Sequence, residues 1–265
     1  MERGSYRASR YDPMLGRSYH LSLLSGQGLS AWAVHEVIGG RPVALGWAGG
    51  NDALIDKQLP QQPASVSFVS LPEWSTLVPD GALVPGAEAK HLALVHGGLP
   101  TGAMRDESVR SLGATCIYVH NDLAERAVLD RFPNARPLAL QSVMIRSTLA
   151  RCGTDPIVLI HRAYEQLAIT IAWKHKVLLT NTYPAKTAQD MLYYVLLAVE
   201  QTGYKATDVS LRFGGTHLNN GERELLLRYF RDRAPAGAPL WPDHVETENA
   251  PLYRWFAVIE QFACV

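Results

Sequence analysis

The stretch from residue 156 to residue 230 constrains the fold most, because it reads as strand, strand, strand, helix, strand, helix. Residues 157–160 form a continuous apolar run, which is typical of a strand buried on both faces. Residues 166–173 alternate between two faces, and residues 177–183 continue after the polar turn Lys174-His175-Lys176. Links this short predict an antiparallel three-stranded meander.

A helix, a strand and a second helix follow this meander. Thr187 and Asp190 have the spacing of a capping box at the start of the first helix, and Gly203 ends that helix. The strand over residues 209–213 ends in Gly214-Gly215, and the last helix begins near Asn220.

A weaker copy of the same opening lies near residue 20. It predicts strands over residues 19–24 and 43–47, a helix over 51–59 capped by Asn51 or Asp52, and a strand over 66–70. Residues 29–38 fit either a strand or a helix. We favour a strand, because a short Gln-Gly turn before it suits a hairpin. The same residues contain Gly26-x-Gly28-x-x-Ala31, a weak dinucleotide-binding fingerprint that requires a helix at Leu29 instead.

The remaining segments are read more coarsely. We predict strands over 75–79, 115–119 and 136–140, helices over 87–96 and 142–150, and a glycine-rich loop over 97–106. A further helix, capped by Asn121 or Asp122, runs to Phe132 with Leu123, Ala127 and Phe132 facing inward. Residues 234–242 form a linker, and residues 252–262 close the chain as a strand or as a strand plus helix. The predicted divisions are a mobile lead-in, 1–17, an N-terminal lobe, 18–152, and a C-terminal lobe, 153–265.

Bulk composition excludes several classes of protein. The 265 residues are 47% hydrophobic and 19% charged, as expected of a globular protein. With 25 basic and 25 acidic residues, the net charge gives no reason to expect nucleic acid as a partner. The three cysteines are widely spaced, so neither a disulfide framework nor a zinc site is indicated. No segment approaches the roughly 18 apolar residues of a membrane span, and no signal peptide is evident, so a cytoplasmic protein is expected.

Four segments carry a resemblance to known proteins: STLVPDGAL (75–83), RFPNARPL (131–138), LLTNTYPAKTAQDMLYYVLLAVEQTG (178–203) and VSLRFGG (209–215). They resemble a bacterial domain-of-unknown-function family, in which a Thr-Leu-Val-Pro segment precedes a Phe-Pro-Asn-Ala segment and a Thr-Ala-x-Asp-x-x-Tyr-Tyr block. The resemblance covers the chain from about Tyr19 onward. It implies an α/β protein of mixed sheets with the actin-like ATPase (ribonuclease H-like) fold, shared with sugar kinases and heat-shock chaperones. In that fold two similar lobes each carry a three-stranded meander followed by helix, strand and helix. No activity is implied.

The same resemblance predicts where a nucleotide would bind. Actin-like ATPases hold phosphates on two hairpin turns, whose aspartates position magnesium for phosphoryl transfer. The first turn here is Ser25-Gly26-Gln27-Gly28, which has glycines and no carboxylate. The second is residues 161–165, where Glu165 is the nearby acid and glycine is missing. The usual mechanism of ATP hydrolysis is therefore not expected.

Other candidate binding residues also have structural interpretations. Gly214-Gly215-Thr216 matches the glycine pair that approaches adenosine in this fold, but a strand-to-helix turn needing positive φ accounts for it equally. His161 and Arg162 could donate to an anion or could cap a hairpin. Asp190 could act as a catalytic carboxylate, although helix capping explains it. No GxSxG, P-loop or HExxH motif occurs, so no catalytic or metal-binding residue is predicted.

Two hypotheses follow. The first is a non-catalytic interaction or assembly protein with a degenerate nucleotide cleft, no cofactor, and another protein or its own copy as partner. The alternative is an ATP-binding switch or phosphotransferase that uses residues 25–28, Arg162 and residues 214–216. A cleft plugged by a side chain such as Tyr164 or Trp32 would favour the first.

Overall fold

The structure is a computed structural model, and it describes residues 3–236 and 251–265. The described part of the first half contains nine strands and three α-helices: β1 (Gly4–Arg7), β2 (Tyr19–Gly26), β3 (Leu29–Glu36), β4 (Pro42–Gly49), β5 (Ser65–Leu71), β6 (Trp74–Pro79), α1 (Glu88–His96), β7 (Ala103–Val109), β8 (Ala114–His120), α2 (Asp122–Leu129), β9 (Arg136–Pro137) and α3 (Leu140–Ala150). Short 3-10 helices join them at Pro13–Ser18, Asp52–Ile55, Asp80–Ala82 and Arg110–Leu112.

The described part of the second half contains β10 (Ile157–Ala163), β11 (Gln166–Trp173), β12 (Lys176–Pro184), α4 (Ala188–Gln201), β13 (Ser210–Gly214), α5 (Asn220–Leu227), β14 (Asp232–Pro235) and α6 (Phe256–Ile259). Its 3-10 helices are Ala206–Asp208, Leu252–Trp255 and Glu260–Cys264. No helix among the described residues is long and apolar enough to cross a membrane.

The strands form three sheets. The first sheet has the order β1-β4-β3-β2-β5-β9, the second has β12-β11-β10-β13-β14, and a smaller inserted sheet has β6-β8-β7. In the first two sheets an antiparallel meander is followed by strands that run parallel to the meander's first strand. The two lobes therefore repeat one topology, as the predicted pair of meanders required. Residues 18–152 and 153–265 stay the predicted limits of the lobes.

Three of the five apolar clusters among the described residues organise the packing of the two larger sheets. One fills the second lobe beneath α4 and α5, and a second lies on the first sheet and includes Trp32, which is fully buried. The third joins the lobes, because Leu24 and Val143 of the first lobe meet Leu159 and Ala163 of the second. Trp255 and Phe256 belong to this junction as well, so the C-terminal helical segment packs between the two sheets.

The structure confirms residues 29–36 as a strand, which removes the helix that the dinucleotide-binding fingerprint required. Two predictions of capping are also confirmed. Thr187 and Asp190 form a capping box at α4, and the side chain of Asn121 accepts hydrogen bonds at the start of α2.

Several predicted elements were wrong in extent or type. The helix expected over 51–59 is a single 3-10 turn at Asp52–Ile55, and Asn51 makes no side-chain capping bond. The predicted loop 97–106 contains the start of β7. Leu123 is 77% exposed rather than inward-facing, because the buried face of α2 carries Ala124, Glu125 and Val128 instead. Residues 252–262 are helical throughout, where a strand or a strand plus helix was expected.

The structure also differs from the prediction in the lead-in and in the linker. Part of the predicted lead-in, residues 1–17, forms β1, which pairs with β4. This strand was not predicted, since the segment is polar and rich in arginine. The predicted linker 234–242 begins within β14, and its residues from 237 onward lie outside the described part of the chain.

Candidate functional site

The three segments predicted to hold a nucleotide meet at the junction of the lobes. The turn after β2 contacts the turn after β10, because the hydroxyl of Tyr164 donates to the carbonyl of Gln27 at 2.8 Å. The backbone of Gly215, after β13, lies against the backbone of Arg162 on β10. The geometry thus brings together the segments 25–28, 161–165 and 214–216.

Tyr164 occupies the gap between the two phosphate-type turns. It lies at φ +51°, a conformation that glycine adopts at far lower cost than tyrosine. A Cβ atom added at Gly26 would lie 2.5 Å from the Tyr164 hydroxyl, so the glycine there makes room for this side chain. The other face of the ring packs on His217, with 4.1 Å between ring centroids. Burial raises the pKa of Tyr164 to about 12, so its hydroxyl stays a donor at neutral pH.

Arg162, predicted to contact an anion, is bound within its own lobe. Its Nε donates to Glu222 at 3.2 Å, and the two side chains are only 6% and 5% exposed. Its Nη1 donates to the carbonyl oxygens of Tyr164 and Gln166. Glu222 also completes the capping box of α5 with Asn219, so the ion pair fixes β10 against that helix.

His161 is buried and neutral. It is 1% exposed and packs against Phe256, with 6.0 Å between ring centroids. Neither ring nitrogen has a hydrogen-bond partner among the described residues. Burial lowers its pKa to about 3, so the ring carries no charge to offer a phosphate at neutral pH.

The glycine pair of the third segment accommodates the protein itself. A Cβ atom at Gly214 would lie 2.8 Å from the carbonyl oxygen of Tyr253, and one at Gly215 would lie 2.2 Å from that of Arg162. The amide of Gly215 donates to the Tyr253 carbonyl at 2.9 Å. Gly215 also has φ +122°, which favours glycine. The hydroxyl of Thr216 contacts the His217 ring at 2.8 Å.

The first turn is buried at its start, and its tip, Gln27 and Gly28, is exposed. Ser25 is fully buried, and its hydroxyl has no partner among the described residues. Gly28 adopts φ +76° with open space around it, as a hairpin turn requires. Trp32, the other proposed plug, does not face the junction but fills the first lobe's own core, where a Cβ at Gly46 would lie 2.4 Å from its ring.

A second contact ties the lobes beside Tyr164. The Oε1 atom of Gln166, on β11, accepts the amide of Glu73 at 3.1 Å. The carboxylate of Glu73 in turn accepts the amides of Leu140 and Gln141 at the start of α3, at 2.6 and 3.4 Å. Gln166, which follows the second-lobe turn, is thus linked through Glu73 to α3 of the first lobe.

Sequence reasoning missed Glu222, Glu73 and Gln166. The spacing of Asn219 and Glu222 is a capping-box signal that could have placed Glu222 near a helix start. Its pairing with Arg162, 60 residues away, has no local signal.

These residues, as arranged, do not fit a magnesium–triphosphate group. The two turns supply no aspartate for the metal, Arg162 is neutralised by Glu222, and Tyr164 occupies the gap between the turns. No cluster of three or more His, Cys, Asp or Glu side chains within 3–236 and 251–265 could hold a metal ion.

The repeated meander-and-crossover topology of the two lobes defines an actin-like ATPase fold. A Bacteroides thetaiotaomicron protein with an actin-like ATPase fold and unknown function superposes with a TM-score of 0.71 at 14% identity, over 86% of this chain and 94% of that one. The PilM–PilN type IV pilus biogenesis complex contains a chain that superposes with a TM-score of 0.55 at 13% identity, over 94% of this chain and 98% of that one.

The particular family follows from the sequence. Residues 66–232 match the model of DUF3822, a family of proteins of unknown function, and the chain belongs to this family. The match includes all four quoted segments, so the predicted membership of a domain-of-unknown-function family with this fold is confirmed. A search of curated proteins gave no match.

Proposed function

We propose that this protein is a non-catalytic interaction or assembly protein that retains the actin-like fold with a degenerate, closed nucleotide cleft. It works without a cofactor, in the cytoplasm, by binding another protein or a second copy of itself rather than nucleic acid. The observation that carries the proposal is the Tyr164 hydroxyl bonded to the Gln27 carbonyl across the gap where the fold's phosphates would lie.

Backbone energetics supports this interpretation of Tyr164. A non-glycine residue in the left-handed region costs roughly 1–2 kcal/mol relative to its favoured conformations. Such strain persists where surrounding contacts fix it, here the Gln27 hydrogen bond and the packing on His217. A tyrosine in place of the expected glycine therefore favours a closed junction over a phosphate-binding turn.

Likeness to an assembly component gives independent support. The superposable chain belongs to the PilM–PilN type IV pilus biogenesis complex. At 13% identity that likeness concerns the fold alone, and it shows that a chain of this shape can take part in a protein assembly.

The alternative is an ATP-binding switch or phosphotransferase that opens at the junction. It is favoured by one observation, the convergence of segments 25–28, 161–165 and 214–216 at a single place. Nucleotide binding would then require Tyr164 to leave Gln27 and Arg162 to leave Glu222.

Thermal unfolding with and without millimolar Mg-ATP, Mg-ADP or Mg-GTP separates the two functions. A ligand at 100 times its dissociation constant adds about 2.7 kcal/mol of stability. For a domain of this size that raises the Tm by roughly 5–10 °C. We expect no shift with any of the three nucleotides, and a shift in that range would replace the proposal with the alternative.

Affinity capture from native lysate with mass spectrometry, together with light scattering on the purified protein, tests the interaction role directly. We expect either one abundant protein partner or a defined self-assembly. A monomer at high concentration that retains no protein would contradict the role even if no nucleotide binds.

A further inference from the structure

One pocket of the described residues lies away from the segments 25–28, 161–165 and 214–216. Its volume is about 830 Å³, and it is bounded by β7 of the inserted sheet, by β9 and α3, and by Cys264 and Val265. Residues 105–111 line it continuously, so one wall is the C-terminal part of β7 and the turn after it. We call it the β7 pocket.

Strand β7 is an edge strand. It pairs with β8 on one side, and no other described strand pairs with its second side. An edge strand presents main-chain N–H and C=O groups that can pair with an added strand. Five residues of β7, 105–109, line the pocket, and at about 3.3 Å each they give an edge of roughly 17 Å along it.

The charged side chains that line the β7 pocket are predominantly basic. Four arginines line it, against two acidic residues: Arg105, Arg110, Arg136, Arg146, Asp106 and Glu107. Arg105 is paired with Glu125, at 2.6 Å, and Arg110 is exposed.

Glu107 lies beneath two of these arginines and balances only part of their charge. Arg136 and Arg146 both direct Nη2 to the same Oε1 atom, at 3.3 and 3.5 Å, while the amide of Ala139 donates to Oε2. The arginine side chains are 52% and 34% exposed, whereas Glu107 is 7% exposed. The pocket surface therefore presents guanidinium groups above a buried carboxylate, and they retain donors for a further anion.

The size of the β7 pocket favours a longer ligand over a small anion. A volume of about 830 Å³ is at the upper end of ordinary ligand sites, and a single phosphate would leave most of it filled with water. A continuous strand edge along one wall suits an extended polypeptide.

We propose that the β7 pocket binds an extended acidic segment of a protein partner, with its main chain paired to β7 and its carboxylates on Arg110, Arg136 and Arg146. This inference rests on the proposed interaction role and names the chemistry of the partner segment. It places recognition in the inserted sheet, separate from the closed junction.

Fluorescence anisotropy on the full chain tests the proposal with three labelled eight-residue peptides. In one peptide valine alternates with glutamate, and in the other two glutamine or lysine replaces every glutamate. The acidic peptide should bind about tenfold or more tightly than the glutamine peptide, and the lysine peptide should not bind. Binding should protect the amides of β7 from hydrogen exchange.

Matched variants locate the site. Arg110→Gln/Arg146→Gln should weaken binding of the acidic peptide about tenfold, whereas Arg228→Gln, an exposed arginine of the second lobe, should not change it. Circular dichroism of both variants confirms folding. N-methylation of alternate peptide amides should also abolish binding, since it removes the donors for strand pairing.

Four outcomes would overturn the proposal: equal affinity for the glutamate and glutamine peptides, absence of binding, binding that survives Arg110→Gln/Arg146→Gln, or full competition by millimolar inorganic phosphate, which indicates a small-anion site. Each leaves the nucleotide melting experiment unaffected, so failure here is distinguishable from failure of the proposed interaction role.

Discussion

At the scale of single residues, the sequence indicated which segments would come together at the candidate site. It did not indicate which partners their side chains would have. The sequence itself shows that the turns lack aspartates and that the second turn lacks a glycine. Tyr164 donates to the carbonyl of Gln27, 137 residues away, and Arg162 pairs with Glu222, 60 residues away. Local patterns carry no information on which distant groups satisfy a side chain.

The Arg162–Glu222 pair gives a prediction for stability. Glu222→Gln or Arg162→Met should each destabilise the protein by about 3–5 kcal/mol, because each leaves a buried charge without its partner. The double variant should lose less than the sum, with a coupling of about 2 kcal/mol measured by urea unfolding. Additive losses within about 0.5 kcal/mol would show that the guanidinium is satisfied elsewhere.

Three buried histidines predict sensitivity to acid. Burial lowers the pKa of His20 to about 4 and those of His35 and His161 to about 3. Because the unfolded chain binds these protons near pH 6.5 and the folded chain does not, stability falls as pH decreases from 6.5 toward 4. Each histidine adds about 1 kcal/mol of loss per pH unit across that window.

The variant His161→Leu isolates one of these groups. Between pH 6 and pH 4, its free energy of unfolding should fall less steeply than that of the native protein by about 1 kcal/mol per pH unit. The exposed turn residue His175 provides the control, and His175→Asn should leave the slope unchanged. Equal slopes for all three proteins in urea titrations would show that His161 is protonated in the folded state.

At the scale of elements, hydrophobic patterns predicted the meanders and failed at the C-terminal helical segment and at the edge strand β7. The alternation of β11 and the apolar run of β10 identify strands directly. Residues 252–264 lie between two sheets and are buried on nearly all sides, so no single face distinguishes helix from strand. The edge strand β7 is polar and largely exposed, and nothing in its composition separates it from a loop.

The capping box of α4 is testable at this scale. The Thr187 side chain accepts the amide of Asp190, and the Asp190 carboxylate accepts the amide of Thr187, so both groups satisfy otherwise free helix donors. Thr187→Ala should lower the free energy of unfolding by about 1 kcal/mol. Thr101→Ala, at an exposed turn residue, should change it by less than about 0.5 kcal/mol. Equal effects of the two variants in urea denaturation would show that the cap contributes nothing to the free energy of unfolding.

At the scale of the whole molecule, two copies of one topology are held together by an apolar junction and by polar contacts that include Tyr164 with Gln27 and Gln166 with Glu73. An enzyme of this fold that closes on a nucleotide needs a gap between its lobes. Here side chains of both lobes fill the gap, so opening would expose apolar surface such as Leu24 and Leu159 to water.

The variant Tyr164→Gly separates a plugged cleft from one that has lost its binding groups. Glycine relieves the backbone at φ +51° and removes the ring, so the gap opens while the turn is retained. We expect no increase in Tm with Mg-ATP even then, because the turns lack aspartates and Arg162 remains paired with Glu222. Tyr164→Phe, which keeps the ring and loses only the hydrogen bond to Gln27, should lower stability by about 1 kcal/mol and serves as the closed control. A nucleotide-dependent rise of roughly 5 °C in the glycine variant alone would mean that the pocket is intact beneath Tyr164, with the tyrosine acting as a gate.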